Sequence, residues 1–191
     1  MPRTREFDTE QALARIKDVF WKHGYEGGSM ALIEAETGLK KQSLYRAFGD
    51  KRQMYLAALR DYERVEVAAA IEILQAPGEP AARIDDLFAA IIDGAVKNGD
   101  RRGCLLCNAS VDQAPLDEAS EELVGQIMQR FGKAIEKCLS QGQQFATAPK
   151  LRRETVHAVL AGYFGLRVMI KAGQPRALLT STRKRLVAAL L

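Results

Sequence analysis

The chain has 191 residues, 47% of them hydrophobic, which suits one domain or a small domain joined to a larger one. No apolar run is long enough to cross a bilayer, and the polar start MPRTREFDTEQ lacks the apolar stretch of a secretory signal, so a cytoplasmic protein is expected. Three cysteines, an odd number, argue against a disulfide framework, and free thiols in a reducing compartment are expected.

The formal charge of +4 is unevenly spread. Residues 1–52 hold 10 basic and 8 acidic residues, 53–100 hold 4 and 9, 101–150 hold 6 of each, and 151–191 hold 8 and 1. Two basic regions therefore compete as contact surfaces.

Ala, Leu, Glu, Lys, Arg and Gln dominate, and β-branched residues never alternate, which predicts an all-α fold. Turn residues divide the chain into about nine helical segments, with no internal repeat. The first covers about 9–23. Asp8 and Gln11 match a capping box, Leu13, Ile16, Val19 and Phe20 form its apolar stripe, and Gly24 is expected to stop it. The second opens at Ser29 as N-cap and ends at Gly38, a residue suited to positive φ. The third covers about 41–48 and breaks at Gly49. Asp50, with Gln53, caps a long fourth helix over about 51–75. Five more segments follow at about 81–97, 104–113, 116–140, 150–172 and 175–190. Proline and glycine separate them, and the last is expected to reach the end of the chain without a tail.

The second and third helices, joined by a turn at Gly38, match helix-turn-helix spacing. Ile33, Leu39, Leu44 and Phe48 would face the first helix. Lys40, Lys41, Gln42, Ser43, Tyr45 and Arg46 are left on or near the outer face. That arrangement is what a major-groove helix needs. Gln42 has the geometry to bond adenine, and Lys41 or Arg46 to reach guanine or phosphate. Lys51 begins a helix, so its charge and the free N–H groups there would hold one phosphate together. The apolar positions are consumed by the core, which leaves no amphipathic face for a membrane.

The stretch 24–51 resembles the DNA-binding domain of TetR-type (TetR/AcrR) transcriptional regulators. The resemblance rests on Gly24-Tyr25, Ser29, Ile33, Thr37-Gly38-Leu39, Ser43-Leu44-Tyr45, Phe48 and Lys51, and is specific over about residues 8–60. It implies an N-terminal three-helix DNA-binding domain, residues 1–50, and a larger helical domain, 51–191, that dimerises and binds a small effector. The homodimer would read a palindromic operator, usually as a repressor. Its two recognition helices would sit roughly 34–36 Å apart, in successive major grooves. Lys40, Lys41 and Gln42 fall where the family reads bases, and Tyr45 and Lys51 where it grips phosphates. Glu34 stands where such proteins usually carry a small residue; it must reach solvent or pair with a base such as Lys40.

The C-terminal basic segment reads differently. Arg152 and Arg153 open one helix, and Arg183, Lys184 and Arg185 lie on the last. Small residues at Ala161 and Gly165 permit close helix approach. The two helices are expected to form half of a four-helix dimer interface, with the arginines on its rim or facing acids of residues 53–100.

RRGCLLCNASVDQAP contains Cys104 and Cys107 on one helix face. Zinc would need two more ligands, and Cys138 with two distant histidines makes no recognisable set, so neither metal nor cofactor is expected. The plain reading is two small core hydrophobes. The functional one is a thiolate at Cys104, stabilised by Arg101, Arg102 and a helix N-terminus. RGCL-x-x-N also resembles a subgroup of TetR-type regulators, some of which sense electrophiles or oxidants here. An alternative class is a redox or thiol enzyme using Cys104 and Cys107. An apolar effector site, if present, is expected from Tyr62, Phe88, Ile91, Cys104, Cys107, Ile127, Met128, Phe131 and Phe164.

Overall fold

The computed structural model describes residues 7–190, and no strand occurs among them. Residues 1–6, part of the polar start weighed as a possible signal, lie outside the described residues. The helices are α1 Thr9–Gly27, α2 Met30–Thr37, α3 Lys41–Phe48 and α4 Lys51–Tyr62, which runs through a π turn, Glu63–Val67, into α5 Ala68–Gln75. Then come α6 Pro80–Asn98, α7 Leu105–Asp112, a 3-10 turn Ala114–Leu116, α8 Glu118–Leu139, α9 Gln143–Ala146, α10 Pro149–Lys171 and α11 Arg176–Leu190.

The caps explain the boundaries. Asp8 accepts from the N–H groups of Glu10 and Gln11 at 2.9 and 3.2 Å. Ser29 Oγ accepts from Leu32 N–H at 3.2 Å. Gly38 takes φ 71°, which ends α2 where a side chain would be strained. Asp50 and Gln53 form the full reciprocal capping box, at 2.8 and 2.9 Å. Pro80 sits in the first turn of α6, where its missing N–H is harmless.

Three differences from the sequence reading have local causes. Gly24 does not end α1 but kinks it, with φ 71° and ψ −179°, and one further turn follows. The kink survives because Asp112 Oδ2 accepts the freed Tyr25 N–H at 3.1 Å. The long fourth helix keeps its extent but carries the π turn. Helix α9 was not foreseen; four residues are too short for a period, and it exists to bury Phe145.

α1, α2 and α3 close over α4 around Ile16, Phe20, Ile33, Leu44 and Met54, all fully buried. Each such side chain contributes about 1.5–3 kcal/mol by leaving water. Tyr55 packs edge-on against both Phe20 and Tyr25, with ring centroids 5.1 Å apart in each case. Leu39 and Phe48 are partly buried against the same core.

α1 also lies against α7. Beyond α4, α5, α6, α8, α10 and α11 pack around Phe88, Ile127, Phe131, Val159 and Leu166. Arg183 pairs with Asp85 at 2.9 Å and Arg176 with Asp93 at 2.7 Å, so these arginines of α11 face acids of α6. Arg152 pairs instead with Glu136 of α8, at 3.5 Å. No described helix is long and apolar enough to cross a membrane.

Candidate functional site

α3 is held by its buried Leu44, and its other face looks outward. Lys40, Lys41, Gln42 and Arg46 are exposed, Tyr45 is 41% exposed, and Ser43 is half-buried. The side chains of Lys40, Gln42 and Arg46 make no hydrogen bond or ion pair among the described residues. The Lys41 ammonium rests 5.4 Å from the Tyr45 ring centroid. The patch is therefore uncompensated positive charge on a rigid rod.

What fixes the rod is partly unexpected. Lys40, the N-cap of α3, offers no side-chain acceptor. Glu34 supplies it: its Oε1 accepts the Lys41 N–H at 2.7 Å. The carboxylate stays solvent-accessible and does not pair with Lys40, but caps α3 across the turn. At the same C-terminal end of α2, Arg15 donates to the Glu36 carbonyl at 2.9 Å, which ties the turn to α1.

Lys51 is half-buried at the start of α4. Its ammonium lies 4.6 Å over the Tyr25 ring and donates to the Glu26 carbonyl at 3.4 Å. Ser29, the N-cap of α2, is exposed.

Further polar contacts tie α1 and α4 to each other and to the rest. Lys17 of α1 and Asp61 of α4 form a buried pair at 2.8 Å. Arg52 reaches Asp117 at 2.6 Å, Arg102 reaches Asp18 at 2.6 Å, and Asp112 holds Tyr25.

Cys104 is the N-cap of α7 and is 3% exposed; Cys107 is half-buried one turn on. The Tyr62 hydroxyl donates to Cys104 Sγ at 3.3 Å. Burial pushes the Cys104 thiol up, but a hydrogen bond from Cys107, the charge of Arg167 and the Tyr62 hydroxyl outweigh it and bring it down to about 6. Cys107 is held high, first by that shared hydrogen bond and then by burial. The expected cations are otherwise engaged. Arg102 stacks 3.9 Å over the Trp21 ring and pairs with Asp100 and Asp18. Arg101 is exposed. The cation at the thiol is Arg167 of α10, which donates to the Tyr163 hydroxyl at 2.9 Å and the Gly103 carbonyl at 3.3 Å. No signal near Cys104 in the chain could have named it.

A cavity of about 320 Å³ opens between α1, α5, α6 and α10. Trp21, Ile73, Leu87, Ile91, Tyr163 and Arg167 are among its walls. Its volume is at the lower end for a small-molecule site. Of the residues expected to line one, Ile91 borders it. Tyr62, Phe88, Cys104, Ile127 and Phe131 are packed core, and Cys107, Met128 and Phe164 are partly buried against it. Apolar side chains at helical spacing do not distinguish a wall from a filled interior. Among the described residues no group of three or more His, Cys, Asp or Glu could hold a metal ion.

Residues 12–58 match the family model described as bacterial regulatory proteins, tetR family. The HTH-type transcriptional regulator YezE of Bacillus subtilis (strain 168) is 36% identical over 118 residues, which cover 61% of this chain and 60% of YezE. The chain thus matches less than two thirds of that relative's length. The HTH-type transcriptional repressor DhaR of Mycobacterium sp. (strain GP1) is 29% identical over 149 residues, 76% of this chain and 70% of DhaR. Among solved structures, a cysteine mutant of the TetR family regulator CifR, complexed with a 26-bp double-strand operator DNA, superposes with a TM-score of 0.88. It is 26% identical, and the match covers 98% of this chain and 99% of that one. These relatives are transcriptional regulators, not enzymes, so the thiol-enzyme alternative has no support among them. The helix-turn-helix at 30–48 thus lies within a segment, 12–58, that is similar to the tetR family of bacterial regulatory proteins, and the all-helical frame around it is similar to that of CifR.

Proposed function

We propose that the protein is a sequence-specific, DNA-binding transcriptional repressor that acts in the cytoplasm as a homodimer on a palindromic operator. The observation that carries this is the outward face of α3, with Lys40, Lys41, Gln42, Tyr45 and Arg46 unpaired by any acid. Residues 1–50 form the DNA-binding unit and 51–191 the effector-binding and dimerising unit. Gln42 reads a base, Lys40, Lys41 and Arg46 reach bases or phosphate, Ser43 supports the contact, and Tyr45, Ser29 and Lys51 grip the backbone. CifR, solved on operator DNA, supports this assignment of the fold's DNA side.

The dimer forms through α10 and α11. Their outer face carries exposed Ala161, Gly165, Val168 and Leu178, and a side chain added at Gly165 would meet open space. Small residues there let a second copy approach closely. Repression ends when a small, mainly apolar effector enters the cavity beside α5, or when an electrophile modifies Cys104. Either event shifts α4 and the head it carries. A coupling of about 1–3 kcal/mol is sufficient for a 5–150-fold loss of affinity.

A gel-shift salt series tests the DNA reading. Lys51→Ala should weaken binding to all duplexes alike and lower the salt slope by about one. An unchanged slope removes Lys51 from phosphate contact. For the thiol, a Cys104→Ser variant should keep hold of operator DNA under a quinone or hypochlorite that releases the parent. Equal release of both refutes that role.

A further inference from the structure

We infer that Cys107 is the resolving partner of Cys104, so that a peroxide closes a Cys104–Cys107 disulfide at the start of α7 and the helix passes that change to the α1 kink. This rests on the reading of the protein as a regulator that holds DNA through α3.

The two thiols bracket one helical turn, and their surroundings differ in the way a resolving pair requires. Cys104 is buried beside the Arg167 guanidinium and accepts from Tyr62. That environment favours its thiolate. Cys107 is half-buried and protonated. The cavity is lined in part by Gly103, which precedes Cys104 in the chain, and by Tyr163 and Arg167, whose charge acts on the thiol. Oxidation by hydrogen peroxide would enter from this side, past Gly103, since Cys104 itself is 3% exposed.

The chemistry balances with the peroxide as oxidant. The Cys104 thiolate attacks one peroxide oxygen, an S–O bond forms, the O–O bond breaks, and the leaving hydroxide takes a proton to become water. The Cys104 sulfenic acid is then attacked by the Cys107 sulfur. The S–S bond forms, the S–O bond breaks, and the Cys107 proton leaves with the hydroxide as a second water. Two thiols are oxidised and one peroxide is reduced.

Closing the bond must move backbone. Neighbours one turn apart on a helix have Cβ atoms about 5–6 Å apart, whereas a disulfide brings them to roughly 3.5–4.5 Å. Cys104 lies outside the helix proper, at φ −120° and ψ 123°, so the first turn is free to tighten. Two contacts feel this. Tyr62, buried at the end of α4 where the π turn begins, loses its thiolate acceptor. At the far end of the eight-residue α7, Asp112 holds the Tyr25 N–H at the Gly24 kink, next to the Lys51 phosphate position. α7 thus links the thiol pair to the head directly.

The test uses the reduced full-length protein, hydrogen peroxide, and three readouts. Peptide mapping without reductant should find Cys104 joined to Cys107 in a peptide lighter by two hydrogen atoms, with Cys138 free. In Cys107→Ser, Cys104 should instead be trapped as a sulfenic acid by dimedone. Over-oxidised Cys104 beside a free Cys107 in the parent, or a disulfide between protomers, overturns the pairing. Hydrogen exchange at the Tyr25 amide should speed up in the oxidised parent and not in peroxide-treated Cys107→Ser. Unchanged protection with the disulfide formed overturns the lever. Affinity for a duplex selected by the reduced protein should fall about 5–150-fold on oxidation and return with dithiothreitol. A reduced protein that selects no duplex refutes the regulator reading instead, while the peptide map still decides the thiol chemistry.

Discussion

Replacing Asp61 by Asn tests how the head is fastened to the helix beneath it. Asp61 and Lys17 lie 2.8 Å apart, and their side chains are only 5% and 9% exposed. The variant leaves a buried ammonium facing a neutral amide, and breaking such a pair costs about 3–5 kcal/mol. Arg64, the second partner of Asp61, is 68% exposed and adds little. Because Asn still accepts a hydrogen bond, the lower end, about 3 kcal/mol, is expected. For a chain of this size that lowers the melting temperature by about 6–12 °C. Burial pushes the Asp61 carboxyl up, but Lys17 and Arg64 outweigh it and hold it below its ordinary value. A carboxyl held low stabilises the fold above its unfolded pKa and loses that contribution as pH falls through the folded one. The gap between parent and variant should therefore be full at neutral pH and close below about pH 4. Calorimetry across pH measures it. Equal melting at pH 7, or a gap that persists unchanged in strong acid, refutes the reasoning. A Lys17→Met/Asp61→Leu double variant should recover most of the loss, since it buries no charge.

Other outcomes follow from the same contacts. Glu34→Ala removes the cap of α3, which should cost about 0.5–2 kcal/mol and speed hydrogen exchange at the Lys41 amide; unaltered exchange there would contradict the capping role. Gln42→Ala should relax base preference at one position per half-site, at about 1–3 kcal/mol, without changing the salt slope. Alkylation of Cys104 by iodoacetamide should rise through a midpoint near 6. Arg167→Met should move that midpoint up, toward an ordinary thiol, and an unmoved midpoint would show that Arg167 does not stabilise the thiolate.

The helix-turn-helix was legible because its signals are local. Ser29, Gly38, Asp50 and Gln53 act within three or four residues of where they stand, and the structure uses each as the spacing suggested. The capping role of Glu34 was not legible because its partner, the Lys41 amide, lies seven residues away across a turn that the chain must first adopt. The kink at Gly24 depends on Asp112, 87 residues beyond the Tyr25 whose N–H it accepts. The cation at Cys104 was sought in adjacent Arg101 and Arg102, yet Arg102 is drawn off by Trp21, Asp18 and Asp100, and Arg167 arrives from α10. The cavity is bounded by side chains from helices far apart in sequence, so its walls carry no shared pattern.

Selection of bound sequences from random duplex DNA tests the central claim most directly, that α3 reads a major groove from each half of a symmetric dimer. The account predicts enrichment of a palindrome whose half-sites lie about one helical turn, or a multiple of it, apart, with the preference relaxed in Gln42→Ala. Absence of any enriched sequence, or an asymmetric site read equally well by Gln42→Ala, would contradict it.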